Sequence, residues 1–214
     1  MNTIMEKNMH VIAGYKLSNQ KPTRDSLKLT EMPVPAALTV DTNQYLTIRG
    51  ISIHTALNCP NVYPTANGLC FMLYGPGLAY QERLMRGIKR FNNPIHLALG
   101  KYVFYAGEPY FSNSPLFVTE GVTDALAVWQ EGYTSVALLG TAVTVERAEL
   151  ILRLGIGKRT LVIPDNDAAG YSFLASINNY LAVWHAGVRY LPSKYKDFCE
   201  MPVEFRAEWL KRAI

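Results

Sequence analysis

Cysteine is scarce in this chain, and what there is stands apart. Cys59, Cys70 and Cys199 are odd in number, well separated, and include no CxxC pair. That spacing gives no closed structural zinc site, and a reducing cytoplasm is the expected setting. His10, His54, His96 and His185 are equally scattered and form no ligand spacing. Long apolar runs are missing too. No window approaches the roughly 18 apolar residues of a membrane span, so no membrane is expected among the partners. The opening MNTIMEKNMHVIAGYK has no apolar core leading to a cleavage site, so no secretory leader is expected. No Gly-Lys-Ser or Gly-Lys-Thr loop occurs, so no P-loop motor is expected.

What is present is ordinary globular material. The chain has 214 residues, 49% hydrophobic and 18% charged, enough for one sizeable domain or two small ones. The net charge of +4 is unevenly held. Residues 1–115 carry 11 Lys and Arg against 6 Asp and Glu, whereas residues 116–214 carry 10 against 11. A basic half beside a slightly acidic half suits a polyanion held next to a cation-binding centre, although alone such an asymmetry is also ordinary surface charge.

Two textures follow one another along the chain. Residues 1–40 are polar and proline-bearing without sustained periodicity, as expected of an arm or linker. From Asp41 a short helix is expected, stopped at Arg49-Gly50, with Ser52 capping another. GLCFMLYGPGLAYQERLM reads as two strands joined at GPG. From Ser114 the pattern becomes regular. PLFVTE, TSVALLG, RTLVIP and VRYLP read as short apolar strands. Between and after them lie helices: GVTDALAVWQEG with Thr123 as N-cap and Gly132 as stop, TVERAELILRLG ended by Gly155, a long helix over 167–187 with Asp167 as N-cap, and PVEFRAEWLKRAI. Strands this short and apolar, alternating with helices, argue a parallel sheet covered on both faces.

Ligands of such a sheet bind beyond the carboxyl ends of its strands. Glu120 follows the first strand of this half, Asp165 and Asp167 the third, and Asp197 the fourth. Asp124, four residues after Glu120, falls in the first turn of the following helix. Taken singly, each acid has a structural explanation: a cap at Asp167, the helix macrodipole at Asp124, a turn at Asp165-Asn166, a surface position at Glu120. Directed to one edge, five carboxylates repel one another, and a divalent cation would relieve the cost.

On these residues the chain resembles the Toprim domain, closest to the cores of primases of the bacterial DnaG type and of phages and plasmids. Glu120-Gly121, the Gly140-Thr141 pair in ALLGTAVT, and PDNDAAG match the family's three motifs in order, and YKDFCEM resembles a later Lys-Asp segment of the primase group. Upstream, YLTIRGIS, CFMLYGPGLAYQERLM and LALGKYVFYAGEP are similar to the segments that lead into that core. The resemblance implies an α/β fold: a Toprim-like, Rossmann-type parallel sheet with helices on both faces, preceded by a smaller α+β basic subdomain. It divides the chain into an N-terminal arm or linker (1–40), a primase-like basic subdomain (41–113) and a Toprim domain (114–214).

The same resemblance implies DNA-dependent RNA primer synthesis by nucleotidyl transfer, from a stand-alone core in a bacterial cell or phage-infected host. Glu120, Asp165 and Asp167 would be catalytic. Glu120, Asp124, Asp165, Asp167 and Asp197 would hold Mg²⁺ or Mn²⁺. Arg83, Arg86, Lys89, Arg90, Lys101 and Lys196 would bind nucleotide or nucleic acid. Implied partners are a single-stranded DNA template, nucleoside triphosphates, and a replicative helicase or separate template-recognition protein. Two alternatives remain open from the sequence: a Toprim metal-dependent nuclease, and a non-catalytic nucleic-acid-binding replication accessory protein.

Overall fold

A computed structural model of the chain describes residues 32–87, 91–94, 97–107 and 114–212. Of the expected arm, residues 32–39 fall in this set. They run along the first strand, with Pro35 bridged to Thr65 and the Ala36 N–H donating to Pro64 O at 2.9 Å. Among the described residues no helix is long and apolar enough to cross a membrane.

Helices α1 (Val40–Ile48) and α2 (Ile53–Asn58) come first among the described residues. They form where the sequence places caps: Thr39 accepts from Thr42 N at 3.2 Å, and Ser52 accepts from Thr55 N at 3.0 Å. Between them Arg49 closes α1 and Gly50 turns at φ +63°, a conformation that costs a glycine least. Strands β1 (Val62–Pro64), β2 (Gly68–Tyr74), β3 (Ala79–Leu84), β4 (Phe91–Asn92) and β5 (Val103–Ala106) follow, and all their pairings are antiparallel. The GPG turn joins β2 to β3 as read from the sequence.

The second half alternates β6 (Leu116–Thr119), α3 (Val122–Gln130), β7 (Thr134–Ala137), α4 (Val145–Leu154), β8 (Thr160–Ile163), α5 (Ala168–Leu181), β9 (Ala186–Val188) and α6 (Val203–Lys211). Strands β7, β6, β8 and β9 lie side by side in parallel. Strand β5 pairs antiparallel with β7 over Phe104↔Ala137, Tyr105↔Val136 and Ala106↔Ser135, so one nine-stranded sheet runs through both halves. The fold is therefore mixed α/β, with its parallel part flanked by helices as expected.

Side-chain alternation explains the two covered faces. On one side Phe104, Phe117, Ala137, Leu161 and Ile163 pack with α3 and with Leu46, Phe198 and Leu210. On the other, Val103, Val118, Val136 and Val162 pack with α4 and α5 through Ile151, Phe173 and Ile177. Each fully buried Phe or Leu of these layers is worth roughly 1.5–3 kcal/mol.

Three local expectations are corrected. Helix α3 is capped by Gly121, not Thr123, because the Thr123 hydroxyl is taken by Tyr45 Oη at 2.8 Å. Helix α5 ends at Leu181 rather than continuing to 187. Beyond it the chain turns, with His185 at φ +50°, and Trp184 stacks on Tyr180 and donates to Ala148 O of α4 at 3.1 Å. The last strand accordingly lies upstream of VRYLP, over Ala186–Val188.

One buried cation joins the two ends of the chain. Arg206 of α6 is 1% exposed. Its guanidinium donates to Arg49 O (3.0 Å), Gly50 O (3.0 Å), Cys199 O (2.6 Å) and, through Nε, Met201 O (2.8 Å). A planar five-donor group can satisfy four carbonyls at once, which an ammonium cannot. Arg206→Met fills similar volume and strands those carbonyls. It is expected to lower stability by about 3 kcal/mol or more in urea unfolding, and an unchanged midpoint would refute the role given to this side chain.

Candidate metal centre

The topology makes a cleft at one point of the sheet. Strand β6 pairs with β7 on one side and β8 on the other, with α3 and α4 on opposite faces, so the chain reverses direction there and opens a crevice at the carboxyl ends. Thr119 of β6 is in register with Ile163 of β8. Glu120 therefore leaves the sheet one residue beyond the pair and Asp165 two residues beyond it, on neighbouring strands.

The turn from β8 into α5 is held open for this purpose. Asp167 is the N-cap, accepting from Gly170 N at 2.9 Å, as the sequence suggested. A Cβ on Gly170 would lie 1.9 Å from Asp165 O and 2.9 Å from Asp165 N, so only glycine lets the helix start against the Asp165 backbone. Asn166, between the two acids, faces the other way. Its Nδ2 donates to Leu191 O (3.3 Å), Pro192 O (3.1 Å) and Tyr195 O (2.7 Å), and its backbone N–H donates to Lys196 O (2.7 Å). Lys196 and Asp197 are thereby brought to the same edge from beyond β9.

The carboxylates divide into two groups. The inner group is buried and already supplied with donors. Asp124 Oδ1 accepts from Cys199 N at 3.1 Å. Asp197 accepts from Arg49 Nη1 at 2.9 Å on one oxygen and from Glu200 N at 2.9 Å on the other, capping the 3-10 turn Phe198–Glu200. Ligand-capable atoms of Asp124, Asp197 and Cys199 all lie within 4.8 Å of one another. Burial, and then the Asp197 charge, raise the Asp124 carboxyl above its ordinary range. Burial works against the Arg49 charge, but Asp197 and Tyr45 outweigh it and hold the guanidinium firmly protonated.

The outer group is Glu120, Asp165 and Asp167. Burial raises Glu120, with Asp167 and Asp124 adding repulsion. Its Oε2 is shielded from solvent and has no hydrogen-bond partner. Burial and the charges of Asp124, Glu120, Asp197 and Asp167 together push Asp165 up to about 8. Asp167 is held below the usual carboxylate range by the Gly170 N–H and by Lys196, whose Nζ lies 3.2 Å away. An unpartnered buried carboxylate oxygen beside a carboxyl pushed upward by four others is an arrangement that oxygen-seeking divalent cations fit. Glu120, Asp165 and Asp167 are the residues that could hold one, with Asp124 and Asp197 behind them.

The basic residues named from the sequence scatter more widely. Arg83 is stacked between Tyr45 and Phe91, its Cζ 5.0 and 4.9 Å from the two ring centroids, and its Nε is buried without a partner. The Tyr45 hydroxyl reaches Thr123 at the start of α3, so Arg83 stands two contacts from the acidic edge. Lys101 ends a 3-10 turn (Leu99–Lys101) tied to the loop before α4 by Thr144 and the buried Arg147. Arg86 is exposed and paired with Asp41 at the rim of a cavity of about 500 Å³, away from the carboxylates. Lys89 and Arg90 lie outside the described residues. Sequence reasoning missed Arg49, Asn166 and Arg206. The RG of YLTIRGIS was a usable signal for the first.

Comparisons with known proteins agree with this architecture. Residues 117–201 match the Toprim-like family model. The chain superposes on the Aquifex aeolicus primase (zinc-binding and RNA polymerase domains) with TM-score 0.63 at 20% identity, over 98% of this chain and 59% of that one. For the DnaG primase catalytic domain bound to ssDNA the TM-score is 0.54 at 16% identity, over 100% and 79%. For the primase fragment of the bacteriophage T7 primase-helicase protein it is 0.59 at 18%, over 94% and 83%. The chain thus spans about three-fifths of the length of the Aquifex structure. No curated protein sequence matches it. The Toprim resemblance read from Glu120-Gly121 and PDNDAAG is borne out, and the fold is that of primase catalytic cores.

Two measurements test the site. Asp165 binds its proton more tightly folded than unfolded, where a pKa near 3.9 is expected. The stability this contributes is present below about pH 4 and lost as pH rises through about 8. The melting midpoint of metal-free protein should therefore fall by several degrees between pH 5 and 9. Mg²⁺ or Mn²⁺ should restore it mainly at the alkaline end, and Asp165→Asn should flatten the slope. A flat or rising profile in the parent protein would contradict this electrostatic account. Gly170→Ala, despite better helix propensity, should destabilise by roughly 1–3 kcal/mol through the clash with Asp165 and weaken the response to added metal; a neutral or stabilising effect would refute the close approach.

Proposed function

We propose that this chain joins ribonucleotides into short primers on a single-stranded DNA template, using Mg²⁺ or Mn²⁺ at the Glu120–Asp165–Asp167 edge. The observation that carries the reading is the junction of the two halves. The acidic edge and the basic upstream half share one sheet, and Arg83, on Tyr45, stands beside the helix that Glu120 introduces. A nuclease needs the acids but not a basic upstream half of this shape. The primase structures that the chain resembles over nearly its whole length include that half.

In this reading Glu120, Asp165 and Asp167 would hold a divalent cation, which would supply charge neutralisation for the triphosphate and its leaving oxygen. Glu120, raised by burial, would accept the proton of the attacking 3′-hydroxyl. Asp167 stays ionised beside Lys196, and Asp165 would give up its proton to ligate a cation. Asp124 and Asp197, fixed by Cys199 N and Arg49, add negative charge behind the outer acids and so favour a cation there. Arg83, Lys89, Arg90 and Lys101 are proposed to hold phosphates of nucleotide and template, and Arg86 to join them on release from Asp41. The domain limits of 41–113 and 114–214 are proposed as the two functional halves. One resembled structure is bound to ssDNA and another comes from a primase-helicase protein. These support a single-stranded template and a helicase or template-recognition partner, in a bacterial or phage-infected cytoplasm.

Purified protein given single-stranded DNA, labelled ribonucleotides and Mg²⁺ or Mn²⁺ should make short, template-dependent oligoribonucleotides. Asp165→Ala should reduce their yield by roughly 100-fold or more. Shortened DNA or RNA without any synthesis would replace this reading with the nuclease.

A further inference from the structure

On the far side of the loop that carries Lys196 and Asp197 lies a groove of about 290 Å³ between the segment after β9 and helix α6. Its lining interleaves cations with aromatic rings. Arg189 Cζ lies 4.8 Å from the Trp209 ring centroid, and Lys194 Nζ lies 4.8 Å from that of Tyr195. Phe205 is 57% exposed. Arg212 is exposed, and its pairing with Glu208 at 3.0 Å occupies the one acid that lines the groove. Arg189 donates from Nη2 to Trp209 O at 3.3 Å, but its Nε is buried and has no partner.

The groove is fastened to the acidic edge. Asn166, standing between Asp165 and Asp167, grips the carbonyls of Leu191, Pro192 and Tyr195, which place Lys194 and Tyr195 in the groove wall. A protein-docking surface concentrates apolar area and sheds charge at its centre. Here the rings sit under cations instead. Rings for bases and cations for phosphates are the chemistry of sequence-tolerant single-strand binding.

We infer that this groove is a second binding surface for single-stranded nucleic acid, taking a base on the exposed Phe205 and phosphates on Lys194 and Arg212, while Arg189 on Trp209 forms the wall behind them. The inference stands on these residues alone and holds whichever reaction the acidic edge performs. A strand engaged by the acids can continue around the loop onto this face, so the surface lengthens the bound segment without adding chemistry.

The test is fluorescence anisotropy of labelled oligo(dT) and oligo(rU) with the whole chain at several salt concentrations, alongside the primer assay. Lys194→Ala/Arg212→Ala alters exposed side chains only. It should weaken binding and reduce the slope of log affinity against log salt by about 1.4, two lost contacts on a single strand. Phe205→Ala should weaken binding roughly 5-fold or more at unchanged slope. A larger loss with oligo(rU) than oligo(dT) assigns the surface to the product strand, and the reverse to the template. Primer synthesis with oligonucleotide affinity and slope unchanged in both variants would overturn the inference, leave the proposed reaction standing, and point the groove to a protein partner. Loss of binding in the variants of a chain that makes no primer would support the groove and sink the reaction instead. No measurable oligonucleotide binding by the parent chain would overturn it as well.

Discussion

Arg206 holds the fold to its chemistry. Its four carbonyl partners belong to the turn after α1 and to the segment around the Phe198–Glu200 turn, which lie at opposite ends of the sequence. Bringing a guanidinium out of water is costly, and the fully occupied donor fork offsets that cost. The gain is positional. Fixing Arg49 O and Gly50 O orients Arg49, which then reaches Asp197, and fixing Cys199 O orients the N–H that serves Asp124. A single buried cation thus sets the inner pair of acids through two short chains of hydrogen bonds.

The outer acids follow the opposite logic. Glu120 and Asp165 are surrounded by like charge and are short of donors, which costs stability in the absence of a cation. The fold tolerates this because two rigid strands and a helix start deliver the acids regardless of repulsion. The Thr119↔Ile163 register fixes the spacing at the strand ends. The Asp167 cap and Gly170 fix the helix against it. Stability is spent locally and recovered in the two apolar layers, where Phe117, Val118, Leu161 and Val162 alternate across the sheet.

The parallel half was legible because its signals are local: short apolar strands, caps such as Asp167, and stops such as Gly132 and Gly155. The acids were legible because a parallel sheet sends every strand end to one edge, and the Toprim-like match over 117–201 agrees with that placement. What escaped was long-range. The bond from Arg206 to Arg49 O spans 157 residues, and nothing in PVEFRAEWLKRAI distinguishes a buried arginine from a solvated one. Asn166 read as turn chemistry, whereas its amide is spent on three carbonyls beyond β9. Thr123 was misread as a cap because its competing partner, Tyr45, is 78 residues away.

The ladder between β5 and β7 has a mechanical consequence. Three antiparallel residue pairs join the basic and acidic halves in a single sheet. Swinging one half away from the other would require unzipping that ladder and exposing Phe104 and Ala137, which are both fully buried. The spacing of the two halves is consequently set when the chain folds. Adjustments between them fall to side chains and surface loops.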